Sequence, residues 1–184
     1  MIPLIVLCVF AFVVVLLLVL VIRTFNTVAR LRNATDNAWA QIDVQLTRRH
    51  DLIPNLVETV KGYAAHERQT LEAVIAARSA AISAQGPTQQ AQAETALSGT
   101  LKSLLSLTES YPELRANTAF ATVQRELAAA ENRIAYARQY YNDAVLAYNN
   151  AITTFPTNIL AGNAPAKFYF GTSGDERGNV QVKF

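Results

Sequence analysis

The sequence predicts an all-α protein, in which an N-terminal transmembrane helix precedes an elongated antiparallel bundle of long helices and an irregular C-terminal tail. Three observations predict this fold class. The first 22 of the 184 residues carry no charged side chain. Apolar residues then recur at spacings of three and four, the period of a helix that packs along one face. Proline and glycine interrupt that pattern at well-separated points. We place the anchor at 1–23, the bundle at 24–161 and the tail at 162–184.

Residues 2–22 are long and apolar enough to cross a bilayer once. About 20 residues with a rise of ~1.5 Å each match a hydrocarbon core of ~30 Å. A cleavable signal peptide would have a shorter apolar region, a basic leader and small residues before the cut, and this segment has none of these. Arg23, Arg30 and Arg32 flank the membrane on the C-terminal side, so the positive-inside rule favours a cytoplasmic body with the N-terminus outside. A body on the opposite side of the membrane is the alternative.

A seam of apolar residues from Phe25 to about Ser83 predicts the first helical part of the bundle. Its members recur mostly three or four residues apart: Val28, Leu31, Ala38, Ile42, Leu46, Ile53, Leu56, Val60, Tyr63, Leu71, Val74 and Ile82. Pro54 interrupts the seam, because proline lacks a backbone donor and clashes with the preceding turn. We therefore expect a kink or a break near residues 50–55. The seam stays in phase across Pro54, which favours a kink.

Proline, glycine and asparagine predict where the next two helices begin and end. Gln85-Gly86-Pro87 is the clearest stop signal, and Thr88 is available to cap a second helix that ends before Tyr111-Pro112. Asn117 is a suitable cap for a third long helix, which Phe155-Pro156 ends. The seam of this helix is Phe120, Val123, Leu127, Ala130, Ile134, Ala137, Tyr141, Val145, Tyr148 and Ile152. Spacings of three and four over several heptads predict coiled-coil-like packing of antiparallel helices.

The tail loses helical character from Gly162 onward. Val180, Val182 and Phe184 alternate at the spacing of a strand. Such a segment could add to a sheet edge or fit a groove in a partner. We interpret it instead as a frayed terminus, as the ends of domains commonly are.

Composition and charge exclude several classes of function. The net charge is +2 and the charges are interspersed, so no basic surface for nucleic acid is expected. Cys8, the only cysteine, lies in the anchor, and the only histidines, His50 and His66, lack the spacing of a zinc-hydrolase helix. The sequence contains neither a Gly-x-Ser-x-Gly elbow nor a glycine-rich phosphate loop. We therefore expect no catalytic residue, no metal, no cofactor and no small-molecule substrate, and we predict that the protein is not an enzyme.

Polar residues cluster around Pro54, where the proline should free the carbonyl near His50 from its helical hydrogen bond. The cluster consists of Arg48, Arg49, His50, Asp51, Asn55 and Glu58. In one interpretation, Arg or Asn side chains satisfy the carbonyl, Arg49 and Asp51 pair with neighbouring helices, and the cluster is a fixed structural bend. In the other, it is an interface between protomers or with another membrane protein.

Several blocks of the sequence resemble the bacterial LemA family. Residues 37–67 match its signature, including Asn37-Ala-Trp-Ala-Gln-Ile42, Arg48-Arg-His-Asp-Leu-Ile-Pro-Asn-Leu-Val57 and Gly62-Tyr-Ala-Ala-His-Glu67. Later blocks follow in the family's order: Tyr111-Pro112-Glu-Leu-Arg-Ala-Asn117, Ile134-Ala-Tyr-Ala-Arg138, Tyr141-Asn142, Tyr148-Asn149 and Phe155-Pro156-Thr-Asn158. The resemblance runs from the anchor to about Ala161. Beyond it the chain has Ala166-Lys-Phe-Tyr-Phe170, where relatives commonly carry a stretch with Gly-Phe and Phe-Phe.

The resemblance implies a single-pass protein of the bacterial inner membrane, with a short N-terminus outside and an all-helical body. It implies no established enzymatic activity. Some relatives are linked to the building of intracellular membrane compartments, and family genes often lie near membrane metallopeptidases. We therefore expect a scaffold that forms homo-oligomers on the lipid bilayer and could shape or organise the membrane. The alternative is an adaptor or regulator of another membrane protein, such as a membrane protease.

Overall fold

The computed structural model describes residues 2–162 and 164–171, and within these ranges the chain contains helices and no strand. The all-α prediction is confirmed. The elements are α1 (Ile2–Lys61), α2 (Arg68–Ser83), α3 (Gly86–Ser106), a short 3-10 helix (Leu107–Glu109), α4 (Pro112–Ala116), α5 (Thr118–Thr153) and α6 (Thr157–Leu160). Residues 164–171 form neither helix nor strand. Val180, Val182 and Phe184, which we predicted to alternate at strand spacing, lie outside the described residues.

The N-terminal part of α1 has the properties of a membrane anchor. A window of 18 residues in this helix has a mean hydropathy of 3.7, and none of it is buried. Large apolar side chains such as Phe10 and Phe12 are therefore exposed, which is unfavourable in water and favourable in lipid. Among the described helices, α1 alone is long and apolar enough to cross a membrane.

The first interruption of the helical chain lies at residues 62–67 and not at Pro54. Pro54 sits inside α1, which continues to Lys61, so the prediction of one seam from Phe25 to Ser83 is wrong. Gly62 begins the turn that follows, and it has a low helix propensity. Two long-range contacts hold this turn: the Tyr111 hydroxyl donates to the Glu67 carboxylate at 3.3 Å, and the amide of Asn117 donates to the Tyr63 hydroxyl at 2.8 Å. Partial burial and the Glu67 carboxylate raise the pKa of the Tyr111 phenol.

The predicted helix starts are right for α5 and wrong in detail for α3. The backbone N–H of Phe120 donates to Asn117 Oδ1 at 3.0 Å, so Asn117 caps α5 as predicted. For α3 the capping position is Gln85, whose backbone N–H donates to Gln89 Oε1 at 3.3 Å, and Thr88 lies inside the helix. The N–H groups of the first helical turn have no carbonyl partner within the helix, so proline, which lacks an N–H, is well suited there. Pro87 occupies this position in α3.

The chain divides into two compact units. One unit comprises Met1–Ala38 with Asp143–Lys167, and the other comprises Trp39–Asn142 with Phe168–Phe184. The second unit contains the main core, in which α2 packs against α3 and the following residues are fully or nearly fully buried: Ile53, Leu56, Val60, Val74, Leu97, Leu104, Leu114 and Phe120. In the first unit, Thr35, Val145 and Tyr148 are buried. Our boundaries at residues 23 and 161 stay a prediction.

The core of the second unit should show in unfolding measurements. Leu104→Ala removes a fully buried side chain from α3, whereas Leu146→Ala changes a leucine of α5 that is 48% exposed. We expect Leu104→Ala to lower the free energy of unfolding by roughly 2–5 kcal/mol and Leu146→Ala by less than about 1 kcal/mol. Urea unfolding of the detergent-solubilised protein measures both. Equal losses would contradict the assigned core.

Candidate functional site

The predicted polar cluster around Pro54 separates into a buried set and an exposed set. Arg49 and His50 are buried, with 4% and 7% of their surfaces accessible. The exposed set contains Arg48, Asp51, Pro54, Asn55 and Glu58. Helical periodicity explains the separation, because Arg49 lies three residues after Leu46 and four before Ile53, both of them core residues.

The buried set surrounds one carboxylate of α3, Glu94. Arg49 Nη1 of α1 lies 3.2 Å from Glu94 Oε2, and His50 Nε2 lies 2.7 Å from Glu94 Oε1. Gln90 donates to the same Oε1 at 3.0 Å. Arg49 Nη1 also lies 3.2 Å from a carboxylate oxygen of Glu131 in α5. We call Arg49, His50, Gln90 and Glu94 the Glu94 cluster. Because both oxygens of Glu94 meet protein donors, the cluster joins α1 and α3, and Glu131 adds α5.

The carbonyl that Pro54 frees is satisfied by α2. Proline at position 54 cannot donate to the carbonyl of His50, four residues earlier. Arg78 Nε donates to that oxygen at 2.7 Å. The interpretation of the cluster as a fixed structural bend predicts such a donor, an Arg or Asn side chain. The same interpretation predicts that Asp51 pairs with a neighbouring helix. Asp51 is instead exposed and forms no ion pair with any residue in the described ranges.

A second site, which sequence reasoning missed, binds the segment 164–171 to α5. In the unit that contains residues 39–142, the side-chain amide of Asn142 donates to the carbonyl of Phe170 at 3.2 Å and accepts from its N–H at 2.8 Å. The Tyr141 hydroxyl donates to the carbonyl of Phe168 at 2.9 Å. One amide group thus engages both backbone polar groups of a single residue.

The other unit repeats the same contacts. Asn149 donates to the carbonyl of Lys167 and accepts from its N–H, both at 2.9 Å. The Tyr148 hydroxyl donates to the carbonyl of Pro165 at 3.2 Å, and the Lys167 ammonium pairs with Asp36. We call the two Tyr-Asn pairs the Asn clamps. Their signal in the sequence is the Tyr-Asn dipeptide that occurs twice, seven residues apart, which places both pairs on one face of α5.

Phe170 is the side chain by which the segment is anchored in its unit. It is buried, its ring centroid lies 6.0 Å from that of Trp39, and the guanidinium carbon of Arg138 lies 4.9 Å from its centroid. Gly171 follows with a φ of +84°, and a Cβ there would lie 2.6 Å from Arg138 Nη2. The positive φ favours glycine after Phe170, and any other residue would also require the Arg138 guanidinium to shift.

An aromatic face lies on α1 and α5 within the same unit. Val44 is 63% exposed, Tyr136 77% and Tyr140 50%, and with Gln41 they border an open cleft of about 880 Å³. Gln45 also lines this cleft, and its buried Oε1 accepts no hydrogen bond from a described residue. We call Gln41, Val44, Gln45, Tyr136 and Tyr140 the α1–α5 face. Arg48 follows Val44 by one helical turn and extends this face.

Within the described ranges, no group of three or more His, Cys, Asp or Glu side chains could hold a metal ion. His50 belongs to the Glu94 cluster, and His66 lies in the turn between α1 and α2. The buried polar side chains of the Glu94 cluster thus bind other parts of the same chain. The exposed part of the predicted site, led by Arg48, is the part that a partner could reach.

Comparison with known proteins supports the resemblance seen in the sequence. The family model of the LemA family matches residues 38–184. The match begins after the apolar part of α1 and continues past Ala161, where we expected the resemblance to end. It therefore includes both Asn clamps and the whole tail. No curated protein matches the chain.

The two adjacent arginines provide a matched test of the Glu94 cluster. Arg49→Met leaves the buried Glu94 without its arginine, so we expect the free energy of unfolding to fall by about 3–5 kcal/mol. Arg48→Met changes an exposed arginine and should cost less than about 1 kcal/mol. Urea unfolding measures both variants. A similar loss for the two would mean that the cluster does not join the helices as described.

Hydrogen exchange tests the Asn clamps. Asn142→Ala removes two hydrogen bonds to Phe170, so we expect the Phe170 amide to exchange about tenfold faster or more, which corresponds to ~1.4 kcal/mol. Asn150→Ala, at an exposed position of the same helix, is the control and should leave that amide unchanged. Unchanged exchange in Asn142→Ala would show that the segment is held without the clamp.

Proposed function

This chain belongs to the LemA family, and we propose that it is a membrane-anchored helical scaffold whose copies associate side by side at the membrane surface. The observation that carries this proposal is the continuity of α1. The helix runs for 60 residues from its exposed apolar part into the helical body, so the anchor and part of the body are one element. Every copy therefore carries part of its body on the same helix that anchors it, which favours lateral contacts between like surfaces.

Membrane attachment makes weak contacts sufficient. Confinement of copies to one bilayer raises their effective concentration, so the affinity required of each contact falls. Arg23, Arg30 and Arg32 support a body on the cytoplasmic side of the bacterial inner membrane. All copies would then share one orientation and expose the same faces to one another.

The α1–α5 face has the composition of an association surface. Tyrosine and arginine are enriched at protein interfaces, and this face presents Tyr136, Tyr140 and Arg48 beside the exposed Val44. Burial of this face would remove the exposed apolar groups of Val44 and the two tyrosines from water.

An adaptor is the second candidate, and it would use the same exposed face with a different occupant. Another membrane protein, such as a membrane protease, would then cover Val44 and the two tyrosines. We favour a second copy of this chain, because every copy in one membrane carries this exposed face on the same helix that anchors it. The adaptor role predicts capture of one specific partner and no self-association.

Particle mass in mild detergent distinguishes the two roles. We expect the full-length protein to form discrete particles larger than a monomer in mass photometry. Val44→Arg and Arg48→Glu should each weaken the assembly about tenfold or more, since they place new charge in the contact. Ile82→Arg changes a similarly exposed side chain of α2 outside this face and should leave the particle mass unchanged. A monomer at every concentration would reject the scaffold and direct the search to cross-linked partners.

A further inference from the structure

We propose that the corner between α5 and α6 is a second contact of the chain with the bilayer that holds the N-terminal part of α1, and that this contact favours anionic phospholipids. We call residues 154–159 the α5–α6 corner. The inference rests on the membrane attachment in the proposed function and not on the association of copies. All the residues that carry it belong to the unit Met1–Ala38 with Asp143–Lys167.

The α5–α6 corner exposes two large apolar side chains. Phe155 is 78% exposed and Ile159 is 70% exposed. The chain has no charged residue from 144 to 166, so this stretch offers no charged group beside them. Exposed apolar side chains of this size are unfavourable in water and favourable at the boundary of a lipid bilayer. The corner therefore has the composition of a surface that lies against lipid.

Helix α5 brings this corner toward the apolar part of α1. The Lys167 ammonium pairs with Asp36 and lies 5.9 Å from the ring centroid of Tyr148, so Tyr148 lies near Asp36. Farther along the chain, Leu160 lines an open cleft together with Phe25 of α1. The chain from Tyr148 to Leu160 thus advances along α1 in the direction of the anchor.

The cleft begins at the height of the lipid headgroups. The charge-free run of α1 ends at Ile22, and Thr24 and Phe25 lie about 3 and 4.5 Å farther along the helix axis. The headgroup layer extends about 5–8 Å beyond the hydrocarbon core. Leu160 borders the same cleft, which has a volume of about 480 Å³, and Ile159 precedes it. Apolar side chains of interfacial segments enter this layer by about 5–10 Å, so the corner continues the lipid contact of the anchor.

Unpaired arginines make the α1 side of the cleft suitable for lipid phosphates. The charged residues of α1 before Asp36 are Arg23, Arg30 and Arg32. None of these three forms an ion pair with a residue that the structure describes. Arg32 lines the cleft, and Asp36, which also lines it, is paired with Lys167. The unit has one other acidic residue, Asp143, which precedes Tyr148 and lies farther from the anchor along α5. The cleft therefore presents a positive charge to the membrane.

The potential of an anionic bilayer extends to Arg32. This residue follows Ile22 by ten positions, which is about 15 Å along α1 and about 7–10 Å beyond the headgroup layer. The attraction of an anionic surface falls off within a Debye length, about 8–10 Å. Side chains of a helix tilt toward its N-terminus, which here is the membrane side, and this tilt shortens the distance. Anionic lipid should therefore stabilise the contact more than zwitterionic lipid does.

Fluorescence quenching by lipid headgroups tests the contact in the full-length chain. In a Cys8→Ser background, Asn158→Cys carries an environment-sensitive fluorophore, which leaves Phe155 and Ile159 intact. Vesicles of phosphatidylcholine and phosphatidylglycerol contain a lipid with a nitroxide on its headgroup, and vesicles are in excess over chains. The control carries the fluorophore on Leu146→Cys, an exposed position of α5 farther from the anchor than Tyr148. We expect quenching at position 158 to be about fivefold stronger than at position 146.

Two pairs of variants separate the apolar and the charged parts of the contact. Phe155→Asp should lower the quenching at position 158 to the level of the control, and Phe155→Leu should preserve it, because only the first removes the apolar character of this exposed position. Arg32→Gln should lower the quenching in anionic vesicles about twofold or more. Arg48→Gln, about 24 Å farther along α1, should leave it unchanged.

Equal quenching at positions 158 and 146, or unchanged quenching in Phe155→Asp, would overturn the proposal. Equal effects of Arg32→Gln and Arg48→Gln would overturn the preference for anionic lipid. Shielding of position 158 only in vesicles that hold several chains would assign the corner to a second copy and would also overturn the lipid contact. Flotation of the chain with the vesicles reports the anchor separately. A chain that floats without quenching at position 158 contradicts this inference alone, whereas a chain that does not float contradicts the membrane attachment in the proposed function as well.

Discussion

The hydrogen bond from Arg78 to the carbonyl of His50 is the contact on which the continuity of α1 depends. A proline inside a helix leaves one carbonyl without a donor, and an unpaired buried carbonyl is costly. Arg78 of α2 supplies the donor at 2.7 Å. One residue earlier, Arg49 reaches Glu94 of α3 and Glu131 of α5. One turn of α1 is thereby fastened to three helices, and α1 extends unbroken from its apolar N-terminal part to Lys61. A buried ion pair adds little stability over apolar residues of the same shape, so we assign to the Glu94 cluster the role of fixing the register of these helices.

The sequence predicts the long helices well because their apolar spacing is a local property. Every seam residue predicted for α5 is buried or half-buried, and Asn117 caps this helix as expected. The prediction of one seam from Phe25 to Ser83 is wrong at the point where the spacing of three and four is lost. Eight residues separate Tyr63 from Leu71, and the turn between α1 and α2 lies there. Pro54 predicts a freed carbonyl but not which residue donates to it, because the donor is Arg78 in another element. No local pattern in the sequence predicts that donor, which lies 28 residues from His50. The separation of Arg49 from Arg48, by contrast, follows from the core face of α1 and could be predicted.

The Asn clamps bind the segment 164–171 mainly through its backbone, so they place few demands on its side chains. Asn142 and Asn149 bind backbone N–H and carbonyl groups, which every residue except proline offers. The segment Ala166-Lys-Phe-Tyr-Phe170 can therefore differ from its counterparts without loss of these hydrogen bonds. Residue-specific requirements remain at Phe170, which is buried, and at Gly171, whose φ of +84° favours glycine. The hydrogen bonds show which changes leave the contact intact.

Helix α1 carries its contacts on separate faces. Ile42 and Ile53 lie on its core face. Trp39 contacts Tyr141 and Phe170, and Val44 lies about 140° away from Trp39, at ~100° per residue, on the α1–α5 face. A contact between copies through Val44 therefore leaves the aromatic contacts of Trp39 in place. Because the same 3.6-residue period separates all these faces, a substitution on one of them can be interpreted without reference to the others. The exception is the turn at His50, where the buried cluster and the Arg78 contact meet, and a change there would disturb every face of the helix at once.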